Sequence, residues 1–533
     1  MTIPAQATDE GGNHRWREAA SLAAHRFATG LEQHAGKLAA LFSALFLIVC
    51  LLRAATKLLW FDELGMYYAA KLLPMADLQA FFREGLDNHP PGPVLLVRAA
   101  IGMLGDHHSV ARLPFSLGYL LMCLCIYRFV SRRCPRSYGL AARLFPMILP
   151  TVDYATEIRG YGIVLGMTGV ALVSWQELAE NRRRILAACG LLASLAFALC
   201  CHYYAILLWI PLGLAELSRS WKTRRIDYLV WASMILALSP LILLRQGIQA
   251  AHAAYGTSVW NPPSLSGIEN SYLEFLSLGF APLFAAAVLW MMVRSVASVR
   301  DGGRFFVPAH ERILAGSLAL MPVFAVPLSF VTGSFSARYA LPTIVGLAIF
   351  LAFAMCRSSQ RDLALSGVVV VALFGSFVLK AGGIRQQAAQ NGGLGMPIGE
   401  PLRRQPWMHI LESSPLPIAA TTPVFFLQLQ HYAPPPVRER ISYLADRKLA
   451  IEVEGADTND LNLLQLSRRL PIRVAPYRDY VASHPHFLLC ADTTWQTWQL
   501  VELRKQGAQL VFLTRAGTIY VFEVFYRQPA SAG

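Results

Sequence analysis

The sequence predicts an α-helical polytopic membrane protein of about 11 transmembrane helices, followed by a small extracytoplasmic α/β domain. Three observations carry that prediction. The 533-residue chain is 55% hydrophobic and only 15% charged, with a mean hydropathy of +0.42. That is too apolar for an ordinary soluble enzyme. Apolar runs of spanning length recur as far as residue 380, and basic clusters follow every second one. Beyond residue 406 the pattern changes to short β-rich runs alternating with helical stretches.

A span needs roughly 20 apolar residues. The runs read as spans cover 38–59, 109–130, 138–154, 158–177, 184–200, 202–217, 227–245, 273–295, 311–331, 338–356 and 362–380. The run 92–104 is too short to cross and reads as a helix lying at the membrane surface. Residues 1–37 are polar and mildly basic and show no cleavable signal, so the first span is expected to act as an uncleaved anchor. Net charge is +14, but the basic residues sit in short connections, where they signal topology rather than nucleic-acid binding. The clusters are Arg132, Arg133 and Arg136; Arg182, Arg183 and Arg184; Arg219, Lys222, Arg224 and Arg225; Arg294, Arg300 and Arg304; and Arg357 and Arg361. All fall on the side of the N-terminus, which the positive-inside rule makes cytoplasmic. The opposite loop, 246–272, has no Lys or Arg.

An odd number of spans puts everything after residue 380 outside. Residues 381–406 read as a Gly/Pro-rich linker, with Gly382, Gly383, Gly392, Gly393, Gly395 and Gly399. In 407–533, β-rich runs at 418–420, 487–489, 510–512 and 519–522 alternate with helical stretches near 423–431, 459–469 and 494–506, the pattern of a layered α/β domain. It has no Gly-rich phosphate loop. The nine cysteines form no CxxC pattern, and Cys490 stands alone in the tail, so neither a disulfide framework nor a thiolate metal site is expected.

The outward segments carry the unusual side chains. The first loop holds Asp62, Glu63 and Asn88-His89-Pro90-Pro91-Gly92. Later outward turns hold Asp153, Tyr154, Glu157, Arg159 and Tyr161; His202, Tyr203 and Tyr204; Trp260 to Pro263; and Ser334, Ser336, Arg338 and Tyr339. Each has an ordinary reading. Asp62-Glu63 suits a solvated loop start, the prolines suit a helix boundary, and His202 with its tyrosines suits an interfacial belt. Arg338 could snorkel to headgroups. Asp106-His107-His108 suggests zinc less than a surface turn. Together, acid, base, arginine and aromatic groups on one face describe a polar cavity at the outer boundary, suited to a substrate that is half lipid and half polar.

These residues resemble the GT-C glycosyltransferases. Phe61-Asp62-Glu63 with Asn88-His89-Pro90-Pro91-Gly92 is similar to their first outer loop. The subgroup most resembled is the dolichyl-phosphate-mannose protein mannosyltransferase superfamily, with its bacterial lipopolysaccharide-modifying relatives. Ala111-Arg112-Leu113-Pro114 resembles the "RLP" opening of its second span, and Thr156-Glu157-Ile158-Arg159-Gly160-Tyr161 its "EARGY" element. His202-Tyr203-Tyr204 and Ala337-Arg338-Tyr339-Ala340-Leu341-Pro342 also have counterparts. The resemblance covers about residues 38–356. It implies a polyprenyl-phosphate sugar donor, with Asp62 as general base and Glu63 as its neighbour orienting the acceptor. It further implies Arg338 and Arg159 on the donor phosphate, and Glu157, His89, His202, Tyr203 and Tyr339 around the sugar. No metal ligand set or cofactor is implied; a divalent cation is compatible but not required. The chain lacks the large insert between the middle spans of the eukaryotic enzymes, which argues against a protein acceptor; the acceptors expected are a glycan, a lipid or a protein.

The expected function is therefore an inverting, polyprenyl-phosphate-sugar-dependent glycosyltransferase of an inner membrane, with site and tail on the periplasmic side. A transporter or flippase is the alternative, and a non-catalytic anchor presenting 407–533 a third reading.

Overall fold

The computed structural model describes residues 10–255, 261–277, 281–300, 306–390, 398–492 and 497–526. Trp260, Arg304, Gly392, Gly393, Gly395, the start of the helix expected at 494–506 and the side chain of Arg300 lie outside the described residues.

The membrane part consists of α1 (Glu10–Thr56), α2 (Phe61–Leu72), α3 (Met75–Arg83), α4 (Gly92–Leu104), α5 (His108–Val130) and α6 (Arg136–Ile148). Next come α7 (Tyr161–Ala179), α8 (Arg184–Cys201), α9 (Trp209–Thr223), α10 (Tyr228–Leu236), α11 (Ser239–Leu243) and α12 (Arg245–Tyr255). It closes with α13 (Gly267–Leu276), α14 (Ala281–Arg300), α15 (Ala309–Ala319), α16 (Met321–Thr332), α17 (Thr343–Ser358) and α18 (Leu363–Gln390). Among the described residues, 5 helices are long and apolar enough to cross a membrane: α1 from His25, α5, α7, α8 and α18. Two bent pairs, α10–α11 with α12 (60°) and α15 with α16 (53°), bring the number to 7.

The expected spans 138–154, 202–217 and 338–356 correspond to shorter helices, for a common reason. At one end of each the chain tightens into a 3₁₀ turn: Pro150–Thr156 after α6, Tyr203–Leu208 before α9 and Ala337–Ala340 before α17. Irregular backbone at membrane depth is tolerated where protein covers it or where it lines a cavity. The span expected at 273–295 is split between α13 and α14. The α5–α7 contact is close because glycines face backbone. A Cβ on Gly162 would stand 2.5 Å from the Phe115 carbonyl oxygen, and one on Gly118 2.6 Å from that of Gly162, the small-residue packing that substitutes for a hydrophobic drive in lipid.

Helix α18 does not stop at 380. It continues through Gly382 and Gly383 to Gln390, so the first part of the expected linker is helical. The C-terminal domain contains α19 (Glu400–Arg403), α20 (Pro406–Ser413), β1 (Ile418–Ala420), α21 (Pro423–Tyr432), α22 (Pro435–Arg438), β2 (Ile441–Ala445), α23 (Arg447–Glu454) and α24 (Thr458–Ser467). After these come β3 (Val474–Pro476), α25 (Tyr477–Ser483), β4 (His486–Asp492), α26 (Trp498–Lys505), β5 (Gln509–Ala516) and β6 (Ile519–Phe525). The sheet order is β3-β2-β1-β4-β6-β5. The first four strands are parallel, and the β5–β6 hairpin adds antiparallel to β4. Strands β2 and β3 were not foreseen. β1 alternates its faces: Ile418 and Ala420 join the core shared with the membrane part, whereas Ala419 packs with Leu449, Tyr480 and Trp498 on the other side. The result is a three-layer α/β/α domain.

Candidate active site

Asp62 and Glu63 open α2, the first carboxylates after the extended connection from α1. They separate at once. Glu63 is fully buried and binds Arg112 of α5 in bidentate fashion: Nε donates to Oε1 (2.8 Å) and Nη2 to Oε2 (2.7 Å). The Ile158 N–H also donates to Oε1 (2.8 Å). Arg112 spends its remaining hydrogens on the carbonyls of Ala54, Lys57 and Leu58. The expectation of Glu63 beside the acceptor is therefore corrected: it is a buried anchor with every acceptor site taken, and the arginine of the "RLP" element is its partner.

Asp62 turns the other way and pairs with Arg159, while its carboxylate keeps some solvent access. Arg159 is almost fully buried. Its Nη2 faces His89 Nε2 at 3.3 Å, and His89 Nδ1 meets Asp87 Oδ1 at 2.7 Å. Because Nε2 faces a guanidinium donor, the ring proton belongs on Nδ1, donated to Asp87. Burial alone would raise the Asp87 carboxyl; His89 and Arg159 outweigh it and hold the group below the ordinary carboxylate range. The chain Asp87–His89–Arg159–Asp62 thus fixes the guanidinium from both ends.

Close backbone approach assembles this chain. A Cβ on Gly160 would lie 2.2 Å from the Cys201 carbonyl oxygen, and one on Gly92 2.3 Å from that of Cys200. The glycines of His-Pro-Pro-Gly and Arg-Gly-Tyr therefore let both segments rest on the end of α8, beside His202. The His202 ring lies 5.0 Å from Tyr161, 5.4 Å from Tyr339 and 6.3 Å from His89. Tyr339 stacks on Tyr204 at 4.2 Å. Arg338 stands next to Tyr339 on its 3₁₀ turn, and its charge bears on the same two rings, Tyr161 and His202, as that of Arg159.

Several donors here are buried without partners: Arg159 Nε, Arg338 Nε, Tyr161 Oη and Trp60 Nε1. Arg338 forms no ion pair among the described residues. The Arg159 guanidinium lies over the rings of Trp60 (5.9 Å) and Tyr161 (5.3 Å). Unpaired buried donors are costly, and donors of this kind beside a guanidinium have the chemistry to hydrogen-bond an anion.

Two expected residues have other neighbours, although the charge of Glu157 still bears on Arg159. Glu157 pairs with Lys57 at 3.0 Å, parallel to the Arg53–Asp153 pair. These two bridges clasp the end of α1 to the turn Pro150–Thr156. Tyr203 is absent from the ring cluster; it lines a mainly apolar groove of about 230 Å³ with Met75, Leu78, Phe82, Leu95 and Leu243. Asp106 binds Tyr67 and Lys71, and His107 accepts from the Ser109 N–H as a helix cap. Among the described residues no group of three or more His, Cys, Asp or Glu could hold a metal. Sequence reasoning missed Asp87, Trp60, Arg53 and Lys57; their partners are distant in sequence, apart from His89 beside Asp87.

The basic loops at the opposite ends of the helices are also paired. Arg132 and Arg133 meet Glu177, Glu180 and Glu311, while Arg184 and Arg219 share Asp227. Polar groups are thus not confined to one end of the bundle. Arg132, Arg133, Arg184 and Arg219 are held by carboxylates, whereas Arg338 forms no ion pair among the described residues, its charge bearing on Glu274.

The sequence profile of the family described as Dolichyl-phosphate-mannose-protein mannosyltransferase matches residues 88–243. No curated protein matches. Among solved structures, apo ArnT from Cupriavidus metallidurans superposes with a TM-score of 0.55 at 14% identity, over 92% of this chain and 98% of that one. The same protein bound to undecaprenyl phosphate gives 0.55 at 14%, over 91% and 97%. By its helical membrane part, its C-terminal sheet and this superposition over nearly the whole length, the chain is a multi-pass membrane protein with the GT-C fold.

Proposed function

We propose that this protein is an inverting glycosyltransferase, moving a sugar from a polyprenyl-phosphate carrier to an acceptor on the outer side of a bacterial inner membrane. One observation carries the reading: a carboxylate with solvent access, Asp62, sits against a buried arginine whose surroundings hold unpaired donors. Arg338 and Arg159 hold the carrier phosphate. His89, His202, Tyr339 and the Tyr161 ring wall the sugar. Phosphate drawing on Arg159 loosens its hold on Asp62 and frees that carboxylate to meet the acceptor. Asp62 then takes the proton of the acceptor hydroxyl as its oxygen attacks the anomeric carbon. The bond from that carbon to the phosphate oxygen breaks on the opposite face, and both electrons leave with the polyprenyl phosphate, stabilised by the two guanidinia. Backside attack inverts the anomeric centre. The undecaprenyl phosphate in ArnT supports a polyprenyl carrier.

The test has two parts. Mass spectrometry of lipopolysaccharide, polymer and protein fractions from a deletion strain identifies the sugar that disappears. Asp62→Asn, returned to that strain, is expected to lower its restoration by about 100-fold or more at normal protein levels. Wild-type restoration removes Asp62 from the reaction. The bent helix pairs favour a second reading, a transporter, because broken helices bind solutes in transporters. It requires solute movement in vesicles with no new glycosidic bond.

A further inference from the structure

Lys57, Leu58, Leu59 and Trp60 separate α1 from α2 and belong to no helix. Their backbone groups need partners from elsewhere in the protein. Arg112 takes the carbonyls of Lys57 and Leu58 from one side. Leu59 is fully buried, and both its polar groups go to α21 of the C-terminal domain. Its N–H donates to the Tyr432 hydroxyl (2.8 Å), and its carbonyl accepts from the Gln428 amide (3.2 Å). Gln428 and Tyr432 are four apart, on one face of their helix. The same surface continues along α2: the Tyr68 hydroxyl meets His431 Nδ1 at 2.9 Å, and a Cβ on Gly65 would lie 3.5 Å from Leu466 Cδ1. Asp62 stands three residues beyond Leu59, in the first turn of α2, where the Leu64 N–H donates to the Trp60 carbonyl (2.9 Å).

We propose that Gln428 and Tyr432 are positioning residues for Asp62, so that the C-terminal domain takes part in transfer by setting the place of the carboxylate through the Leu59 backbone. The inference rests on the reading of Asp62 as base. Among the described residues the domain does not touch the Asp62 carboxylate itself; it replaces the helical hydrogen bonds that the connection lacks. A shift of about 1 Å in a reacting group costs up to about 100-fold in rate, and the Leu59 clamp is the contact between Asp62 and α21 through which such a shift would pass.

The experiment compares transfer rate with lipid binding in full-length protein. Tyr432→Phe combined with Gln428→Ala is expected to slow transfer in the complemented deletion strain at least about tenfold. Its Kd for undecaprenyl phosphate, used as the probe, is expected to stay within about twofold, because the arginines are untouched. Arg469→Ala removes peripheral contacts of the same docking surface, to Asp77 and Glu84, and is expected to change neither. An unaltered rate overturns the proposal, as does a Kd that weakens in step with the rate. If the double variant does not accumulate, Tyr432→Phe alone is held to the same split. Asp62→Asn run in parallel separates the two ideas. Wild-type transfer by it defeats the base, whereas an inactive Asp62→Asn beside a fully active clamp variant defeats the clamp alone.

Discussion

Two adjacent carboxylates end in opposite environments because consecutive helical residues point about 100° apart. Asp62 and Glu63 read as a pair in the chain, yet one keeps some solvent access beside Arg159 and the other is sealed against Arg112. A bidentate buried pair is most costly when one partner is lost, since the other is left charged and desolvated. Arg112→Ala is therefore expected to destabilise by about 3–5 kcal/mol, and Glu63→Ala similarly. The combined replacement by apolar residues of like volume should cost less than either. Thermal unfolding of the detergent-solubilised variants checks this, and a combined loss equal to the sum of the two single losses would contradict a coupled pair. The two residues are 49 apart in sequence, so nothing local marks the partnership.

Elements place the site by ending early. The 3₁₀ turns Pro150–Thr156, Tyr203–Leu208 and Ala337–Ala340 stand where longer spans were expected, and they carry Asp153 and Tyr154, Tyr203 and Tyr204, and Arg338 and Tyr339. Gly160 permits the contact with the end of α8. Gly160→Ala is expected to lower transfer by about 10- to 100-fold by driving Arg159 away from His202, with the product signal as readout; an active alanine variant would show that the backbone can yield. Within the C-terminal domain, Asp460 accepts from the Asp446 N–H (2.9 Å), Tyr443 (3.2 Å) and Trp498 (3.3 Å). Burial pushes its carboxyl up to about 7, while in the unfolded chain it ionises near pH ~3.9. The folded domain therefore holds a proton that the unfolded one releases. That contribution is complete below about pH 4 and is lost as pH rises toward 7, a few kcal/mol at about 1.4 kcal/mol per unit. Hydrogen exchange in Ile441–Ala445, corrected for its intrinsic pH dependence, should show protection falling from pH 5 to 8. Asp460→Asn should flatten the fall; an unchanged slope would assign it to another group.

At the scale of the whole molecule, the ion pairs revise the argument from sidedness. Clustering at the outer mouths does not distinguish function from structure, because the opposite ends carry buried pairs too. Among the described residues Arg338 forms no ion pair, though its charge bears on Glu274, whereas Arg132, Arg133, Arg184 and Arg219 are paired. The orientation itself rests on the basic loops. A cysteine at the exposed Glu452 is expected to react with an impermeant thiol reagent from outside intact spheroplasts, beyond the labelling of the unsubstituted protein. Reaction only after lysis would invert the topology and the proposed site with it.

The sequence by itself determined the class: apolar runs, basic alternation and the switch to β-rich segments follow from composition and periodicity, which are local. It also singled out His89, Arg159, His202 and Arg338, which the fold brings near one another, because they lie in short motifs that set their own turns. Only the tertiary structure decided which polar groups are spent on one another and which are left open. Glu63 and Glu157 are occupied, Tyr203 faces a separate groove, and α21 grips the connection before Asp62. Those outcomes depend on contacts between residues tens to hundreds of positions apart, and burial makes each all-or-none: a desolvated charge or backbone group either meets its partner or waits for a ligand.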